Sequence, residues 1–207
     1  AVVSLNAVKC TATSDQIPAS INECWDNIGV VLIDGHLMAV GKAIARRAQQ
    51  DNIPVVIDAG SWKPGFEAVL RHADYVVCSA NFCPPDGKTV GHSDAIEQDM
   101  AVIYYLRDLG VQHIAITHGA QPITYWAAHS SAAPDSSHTV ESIAVPAIQP
   151  VDTLGAGDIF HGAFCYYLLA AGQPNAPDFL DVPKILKQAA DVASLSCLHF
   201  GSRQWMG

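Results

Sequence analysis

The chain has 207 residues, of which 50% are apolar and only 15% carry a charge. This length and composition suffice for one substantial core, so we expect a single domain over residues 1–207. The formal net charge of -9, without any Lys/Arg cluster, argues against a nucleic-acid-binding face.

From residue 29 onward, short β-rich runs alternate with helical patterns. Strands are predicted at residues 29–34, 53–58, 75–79 and 113–117, with helices near residues 37–50, after Pro64, and near residues 94–109. Strands that are apolar on both faces, with helices between them, indicate a mostly parallel, doubly wound α/β sheet flanked by helices. Residues 123–127 and 139–145 instead predict a hairpin or meander around a polar loop at residues 129–138.

Helical patterns dominate the C-terminal part of the chain. From Phe160 onward, apolar residues recur at the i, i+3, i+4 and i+7 spacing of a helix that packs on a core. A last helix is expected over residues 182–198 and is stopped by Gly201. Its small side chains would allow a flat nucleobase to approach closely. A plain core helix explains these side chains nearly as well. These residues are Ala189, Ala190, Val192, Ala193 and Cys197.

A Gly-rich turn precedes the first of these helices, in the string Asp-Thr-Leu-Gly-Ala-Gly-Asp at residues 152–158. Gly155, Ala156 and Gly157 carry almost no side chain, so a ligand can approach their backbone N–H groups, which are unsatisfied donors at a helix start. Those donors and the helix dipole suit a phosphate. Asp158 cannot bind phosphate itself, and a role as base for a substrate hydroxyl explains its position.

This string resembles the C-terminal signature of the ribokinase-like (PfkB) carbohydrate kinases, Asp-Thr-x-Gly-Ala-Gly-Asp, over all seven residues. The resemblance implies a ribokinase-like fold and an ATP-dependent, Mg²⁺-using transfer of the γ-phosphate to a hydroxyl of a sugar or sugar-like substrate. It implies that Asp158 is the general base, and that the amides of Gly155, Ala156, Gly157 and Asp158 form the anion hole. Near Asp152 the family often holds a monovalent cation, which implies K⁺ there.

The resemblance extends to the nucleotide site. Asn81 follows the third strand, and Thr117 and Gly119 match part of the family's Thr-x-Gly-x-x-Gly segment, although Pro122 stands at its last glycine. Gly201 fits the loop that borders the adenine pocket in the family. The resemblance therefore implies that Asn81, Thr117, Gly119 and Gly201 contact the nucleotide.

One departure from the family pattern concerns the metal. The family usually carries Asn-x-x-Glu after the third strand, and the acidic residue helps to hold Mg²⁺ through water. Here Pro84 stands at the Glu position. Asp86, other residues or the nucleotide itself could hold the ion instead. The nine histidines show no metal-ligand spacing, and His161 is interpreted as a helix residue at the edge of the pocket.

Two carboxylates close the first two strong strands. Because ligands collect at the carboxyl ends of parallel strands, Asp34 and Asp58 could contact a sugar hydroxyl or a metal-bound water. Alternatively, each caps the helix that follows, which Asp does well. Both interpretations stay open from the sequence.

The resemblance corresponds to the family's C-terminal two-thirds. The N-terminal part, with the Gly-Gly sugar-binding segment and most of the β-sheet lid, has no counterpart, so we expect a chain truncated at its N-terminus. The alternative function is therefore a truncated nucleotide-binding module that lacks activity on its own. A dinucleotide-dependent dehydrogenase is weakly supported, because Phe160 occupies the third glycine position of Gly-x-Gly-x-x-Gly.

Cysteine usage and the first residues bear on the compartment. Six cysteines show neither Cys-x-x-Cys pairs nor a repeated spacing, which fits free thiols in a reducing cytoplasm. Residues 1–8 are apolar but too short for a membrane span and lack the basic flank of a signal peptide. We expect a cytoplasmic protein whose partners are a small-molecule sugar and ATP, with no membrane and no nucleic acid, and a homodimer in the full-length form.

Overall fold

The computed structural model describes residues 17, 19–85, 94–128, 140–172 and 180–207. Its helices are α1 (Ser20–Cys24), α2 (Met38–Gln50), α3 (Glu67–Leu70), α4 (Ala95–Asp108), α5 (Ala156–Ala170) and α6 (Val182–Ser196). Its strands are β1 (Val31–Ile33), β2 (Val55–Ala59), β3 (Tyr75–Ser79), β4 (His113–His118), β5 (Gln121–Ala127) and β6 (Glu141–Ile143). Single turns of 3-10 helix cover Trp25–Asn27 and Gln204–Met206.

The described strands form one sheet in the order β1-β2-β3-β4-β5-β6. The first four strands are parallel, because α2, α3 and α4 carry the chain back between them. A tight turn at Gly119, whose φ is +63°, then reverses the chain, so β5 and β6 pair antiparallel. The carboxyl ends of β1 to β4 therefore lie at one edge of the sheet.

Successive side chains of the central strands point to opposite faces of the sheet, so the core is divided into two clusters. In β2, Val55 and Ile57 pack with α2, α3 and α4 on one face, whereas Val56 packs with α5 and α6 on the other. Val76 and Val77 of β3 divide between the two faces in the same way. This burial on both faces explains why β2 and β3 are nearly continuous apolar runs.

The predicted α/β class, with a mostly parallel sheet flanked by helices on both faces, is confirmed. The described strands follow one another in chain order, and the second face is covered by α5 and α6, which come after β6. The strand predicted at residues 29–34 is shorter in the structure, because only Val31–Ile33 pairs with β2. Leu32, in the middle of this strand, is exposed. Residues 1–8, Asp86 and the polar loop at 129–138 lie outside the described residues.

No helix in the described ranges has both the length and the apolar character needed to cross a membrane.

Candidate functional site

The Gly-rich turn folds into the start of α5 as the spacing predicts. Gly155 caps the helix with φ +79° and ψ 4°, a left-handed conformation that strains residues with a side chain. Its carbonyl accepts the N–H of Ile159 at 2.9 Å, while the N–H of Ala156 donates to Thr153 O at 3.2 Å. The Ala156 amide is thus engaged within the turn.

The remaining amides of the turn are open. Among the described residues, no acceptor meets the N–H groups of Gly155, Gly157 and Asp158. A Cβ built on Gly157 would find no heavy atom within 4 Å, so no side chain fills the space beside it. The first turn of α5 consequently presents free donors at the positive end of the helix dipole.

Three carboxylates, Asp34, Asp58 and Asp158, are linked by charge interactions near the start of α5. Asp158 is exposed in the first turn of α5, and Asp58 is half-buried at the end of β2. Burial raises the pKa of Asp58. The nearby His161 opposes this shift, whereas the negative charges of Asp158 and, more weakly, Asp34 add to it. Asp158 and Asp34 are therefore each close enough to Asp58 for their charges to act on it.

Asp34 and Asp58 differ in their partners. Asp34 Oδ1 accepts the N–H of His36 at 3.0 Å, which closes a local turn, and α2 begins without a side-chain cap. The Asp34 carbonyl accepts from Lys63 Nζ at 3.1 Å. Asp58 instead approaches His161, with 3.5 Å between Asp58 Oδ2 and His161 Nδ1. Sequence reasoning did not find Lys63; its signal is a lone Lys shortly after the strand that carries Asp58.

An apolar cavity of about 240 Å³ lies beside the first turn of α5. Thr117 and Gly119, at the end of β4, line it together with Ala156 and Gly157. Further lining residues come from the segment after β6, from α5 and from α6: Val145, Pro146, Ile148, Pro150, Phe160, His161, Ala190, Ala193, Ser194 and Cys197. Three of the small residues expected beside a base, those at 190, 193 and 197, thus border this cavity.

Two residues predicted at the nucleotide site do not line this cavity. Asn81 is exposed after β3, and its N–H donates to Ser79 Oγ at 3.2 Å. Gly201 donates its N–H to Asp152 Oδ2 at 2.9 Å. Their contact with a nucleotide stays a prediction.

Asp152 connects the turn before α5 to the loop after α6. Its Oδ1 accepts the N–H of Leu154 and its Oδ2 accepts that of Gly201, each at 2.9 Å. These two hydrogen bonds hold the pKa of the Asp152 carboxyl below its usual value, and the one from Leu154 has the larger effect. Both oxygens thus have partners within the chain, and K⁺ binding by Asp152 stays a prediction.

The described residues do not form a magnesium cage. Pro84, at the position of the family's Glu, is buried and offers no side-chain oxygen. No group of three or more His, Cys, Asp or Glu side chains in the described ranges has the arrangement of a metal site. The part of the chain that the structure describes therefore does not fit a chelated Mg²⁺.

A polar network that sequence reasoning missed supports the turn beside the cavity. The buried Asp99 of α4 accepts the Thr124 hydroxyl at 2.6 Å and lies 2.9 Å from His118 Nε2. His118 stands between Thr117 and Gly119, two residues that line the cavity. The available signal was an acidic residue on the apolar face of a predicted helix.

A profile of the pfkB family carbohydrate kinases matches residues 27–206. The chain belongs to this family. None of the curated proteins compared with it matches significantly.

Solved structures share the pfkB-family fold of this chain. A ribokinase from Thermotoga maritima is 16% identical, with a TM-score of 0.62, and the match covers 93% of this chain and 57% of the other. A putative ribokinase II from E. coli in complex with ATP and Mg²⁺ is 17% identical, with a TM-score of 0.68 and coverages of 94% and 59%. Arabidopsis thaliana ribokinase, complexed with ribose and ATP, is 23% identical, with a TM-score of 0.66 and coverages of 89% and 55%. The chain thus spans less than two-thirds of the length of these structures.

Proposed function

We propose that this protein transfers the γ-phosphate of ATP to a hydroxyl of a sugar or sugar-like substrate. One observation carries the proposal: an exposed carboxylate, Asp158, stands in the same helical turn as free backbone amides, beside an apolar cavity. Phosphoryl transfer needs a base and a cradle for the phosphoryl oxygens at one place. Membership of the pfkB family supports this combination.

The cavity suits the nucleotide. Its apolar wall, formed in part by Ala190 and Ala193 of α6, would accept the flat face of an adenine. Gly157 borders the same cavity, so a nucleotide seated there would extend its phosphates toward the first turn of α5. ATP bound to two of the structurally similar kinases supports this assignment.

Asp158 would take the proton from the acceptor hydroxyl as the hydroxyl oxygen attacks the γ-phosphorus. The bond from that phosphorus to the bridging oxygen of the β-phosphate then breaks, and ADP leaves. The N–H groups of Gly155, Gly157 and Asp158 would stabilise the negative charge on the transferred phosphoryl oxygens. Ala156 contributes less, because its N–H donates to Thr153 O.

Magnesium enters this proposal as part of the substrate, MgATP. The chain supplies no cage for the ion in its described residues, so the nucleotide phosphates would carry it to the site. We place the reaction in the cytoplasm, where the free thiols of Cys78, Cys165 and Cys197 remain reduced.

The Asp158→Asn variant tests the role of the base. We expect kcat to fall by about 10²–10⁴-fold, the usual contribution of a positioned base, because the Asn amide cannot accept the proton. The dissociation constant for MgATP should stay within about 3-fold, because neither the cavity nor the amides change. Turnover is measured as ADP release with a panel of sugars, and MgATP binding by calorimetry.

Asp108→Asn is the matched control, since it makes the same change at an exposed aspartate near the end of α4. It should retain the kcat of the parent protein. A full rate in Asp158→Asn would exclude Asp158 as the base.

A nucleotide-binding role without phosphoryl transfer is the second candidate. It concerns the 207-residue chain by itself, which spans 55–59% of the three solved structures above. This candidate would be supported over the kinase if the 207-residue chain binds MgATP but releases no ADP with any of the sugars in the panel.

A further inference from the structure

His161 is a buried polar residue in the otherwise apolar part of α5 that faces the sheet. Its neighbours on the helix, Phe160 and Phe164, belong to the core, and the imidazole of His161 is buried as well, with only 9% of its surface exposed. A polar ring is costly to bury unless it has hydrogen-bond partners. Its partners therefore indicate why it is there.

The groups around the imidazole are hydrogen-bond acceptors. Nδ1 of His161 lies 2.7 Å from Gly157 O and 3.5 Å from Asp58 Oδ2, and Nε2 lies 3.4 Å from Val77 O. Carbonyl oxygens and an ionised carboxylate donate no hydrogen bond, so the short contact requires a proton on Nδ1. The Nδ1–H group then donates to Gly157 O, with the Asp58 carboxylate beside it.

The accepting carbonyl belongs to a peptide group of functional interest. Gly157 O and the N–H of Asp158 are the two ends of one peptide unit, and that N–H has no acceptor among the described residues. A hydrogen bond to the oxygen polarises the unit and strengthens donation from its N–H. It also fixes the orientation of the peptide plane at the start of α5.

We propose that His161 is a positioning residue for phosphoryl transfer, which orients and polarises the Gly157–Asp158 peptide so that its N–H faces the transferred phosphoryl group. Asp58 keeps the imidazole in place and does not contact the sugar. This inference rests on the proposed kinase function and assigns two residues of that site. It adds a role to the interpretation of His161 as a helix residue at the edge of the pocket.

Three substitutions at His161 separate the hydrogen bond from the bulk of the ring. His161→Leu removes both nitrogens while it keeps an apolar side chain in the core. We expect it to lower kcat by about 10–100-fold, less than the 10²–10³-fold typical of deleting an anion-hole donor outright. The KM for MgATP should change by less than about 3-fold, because an orienting effect acts mainly in the transition state.

His161→Asn places an amide nitrogen at the distance of Nδ1 from Cβ, whereas His161→Gln places it at the distance of Nε2. Only Asn can therefore donate to Gly157 O, and it should recover most of the kcat lost in His161→Leu. His161→Gln should stay slow. This pair also provides the test if the Leu variant does not fold, and equal rates in Asn and Gln would overturn the proposal.

A double-mutant cycle assigns the role of Asp58. If Asp58 acts through His161, Asp58→Asn should slow the parent protein but have little further effect in His161→Leu. Additive losses would instead assign Asp58 an independent role, such as contact with the sugar. Tyr166→Phe, at an exposed position of α5, is the control and should keep the parent rate.

A spectroscopic readout does not depend on turnover. In ¹H–¹⁵N spectra of the imidazoles, Nδ1 of His161 should resonate as a protonated nitrogen, and the Asp158 amide signal should shift in His161→Leu. An unprotonated Nδ1, or a parent-like kcat in His161→Leu, would refute the inference. A parent protein that transfers no phosphate to any sugar would refute the kinase function, and the spectra would then decide only whether His161 donates to Gly157 O and orients the Gly157–Asp158 peptide.

Discussion

The open space beside Gly157 offers a substitution that should raise stability and lower activity together. In Gly157→Ala, the new Cβ would find no heavy atom within 4 Å, so the methyl group causes no clash. Gly157 is the second residue of α5, where alanine is the better helix former. In the proposed reaction, the same methyl group would occupy the space at the cavity wall that the transferred phosphoryl group requires.

The two magnitudes follow from these facts. Replacing a helical glycine by alanine without strain stabilises a protein by about 0.5–1 kcal/mol, because it restricts the unfolded chain and favours the helix. In a protein of this size, that increases Tm by roughly 2–4 °C per kcal/mol. A displacement of the phosphoryl group by about 1 Å would lower kcat on the order of 10²-fold.

Gly162→Ala is the matched control in the same helix. Gly162 is exposed, its Cβ would also meet nothing within 4 Å, and it does not line the cavity. Differential scanning calorimetry and ADP-release assays on both variants should give two stabilised proteins, of which only Gly157→Ala is slow. A parent-like kcat in Gly157→Ala would refute the view that this space holds the phosphoryl group.

Two further predictions concern buried polar groups. Burial lowers the pKa of His113, hydrogen-bonded to Tyr125 at 2.8 Å, from 6.5 to about 4, so only the unfolded chain gains its proton between these values. The free energy of unfolding should fall by up to about 3 kcal/mol as pH drops from 6.5 to 4, and urea titrations of His113→Gln should lack this component. Asp99→Ala leaves His118 and Thr124 without their shared acceptor, so urea unfolding should report a loss of about 1–3 kcal/mol. Calorimetry should then report a weaker MgATP affinity, because the turn beside the cavity loses its support; an unchanged affinity would contradict that link.

The sequence predicts the elements of this fold well, because hydrophobic periodicity and glycine placement are local signals. The turn at residues 152–158 is the clearest case, since a glycine able to adopt positive φ is needed where α5 begins. The contacts of Asp58 could not be predicted in the same way. Its partner, His161, is more than 100 residues away in the chain, and their approach depends on how α5 packs across the sheet.

Packing explains how the short turn before α5 is held in a fixed orientation. Phe160, Phe164 and Leu168 recur every four residues along α5 and are almost completely buried against the sheet and α6. Because this apolar stripe fixes the rotation of the helix, it also fixes the direction of the first turn, where Asp158 stands. His161 adds a polar link from the same turn to Asp58 near the end of β2 and to Val77 in the middle of β3. The apolar stripe thus aligns the helix as a whole, and the buried imidazole aligns the one peptide group on which the proposed phosphoryl transfer most depends.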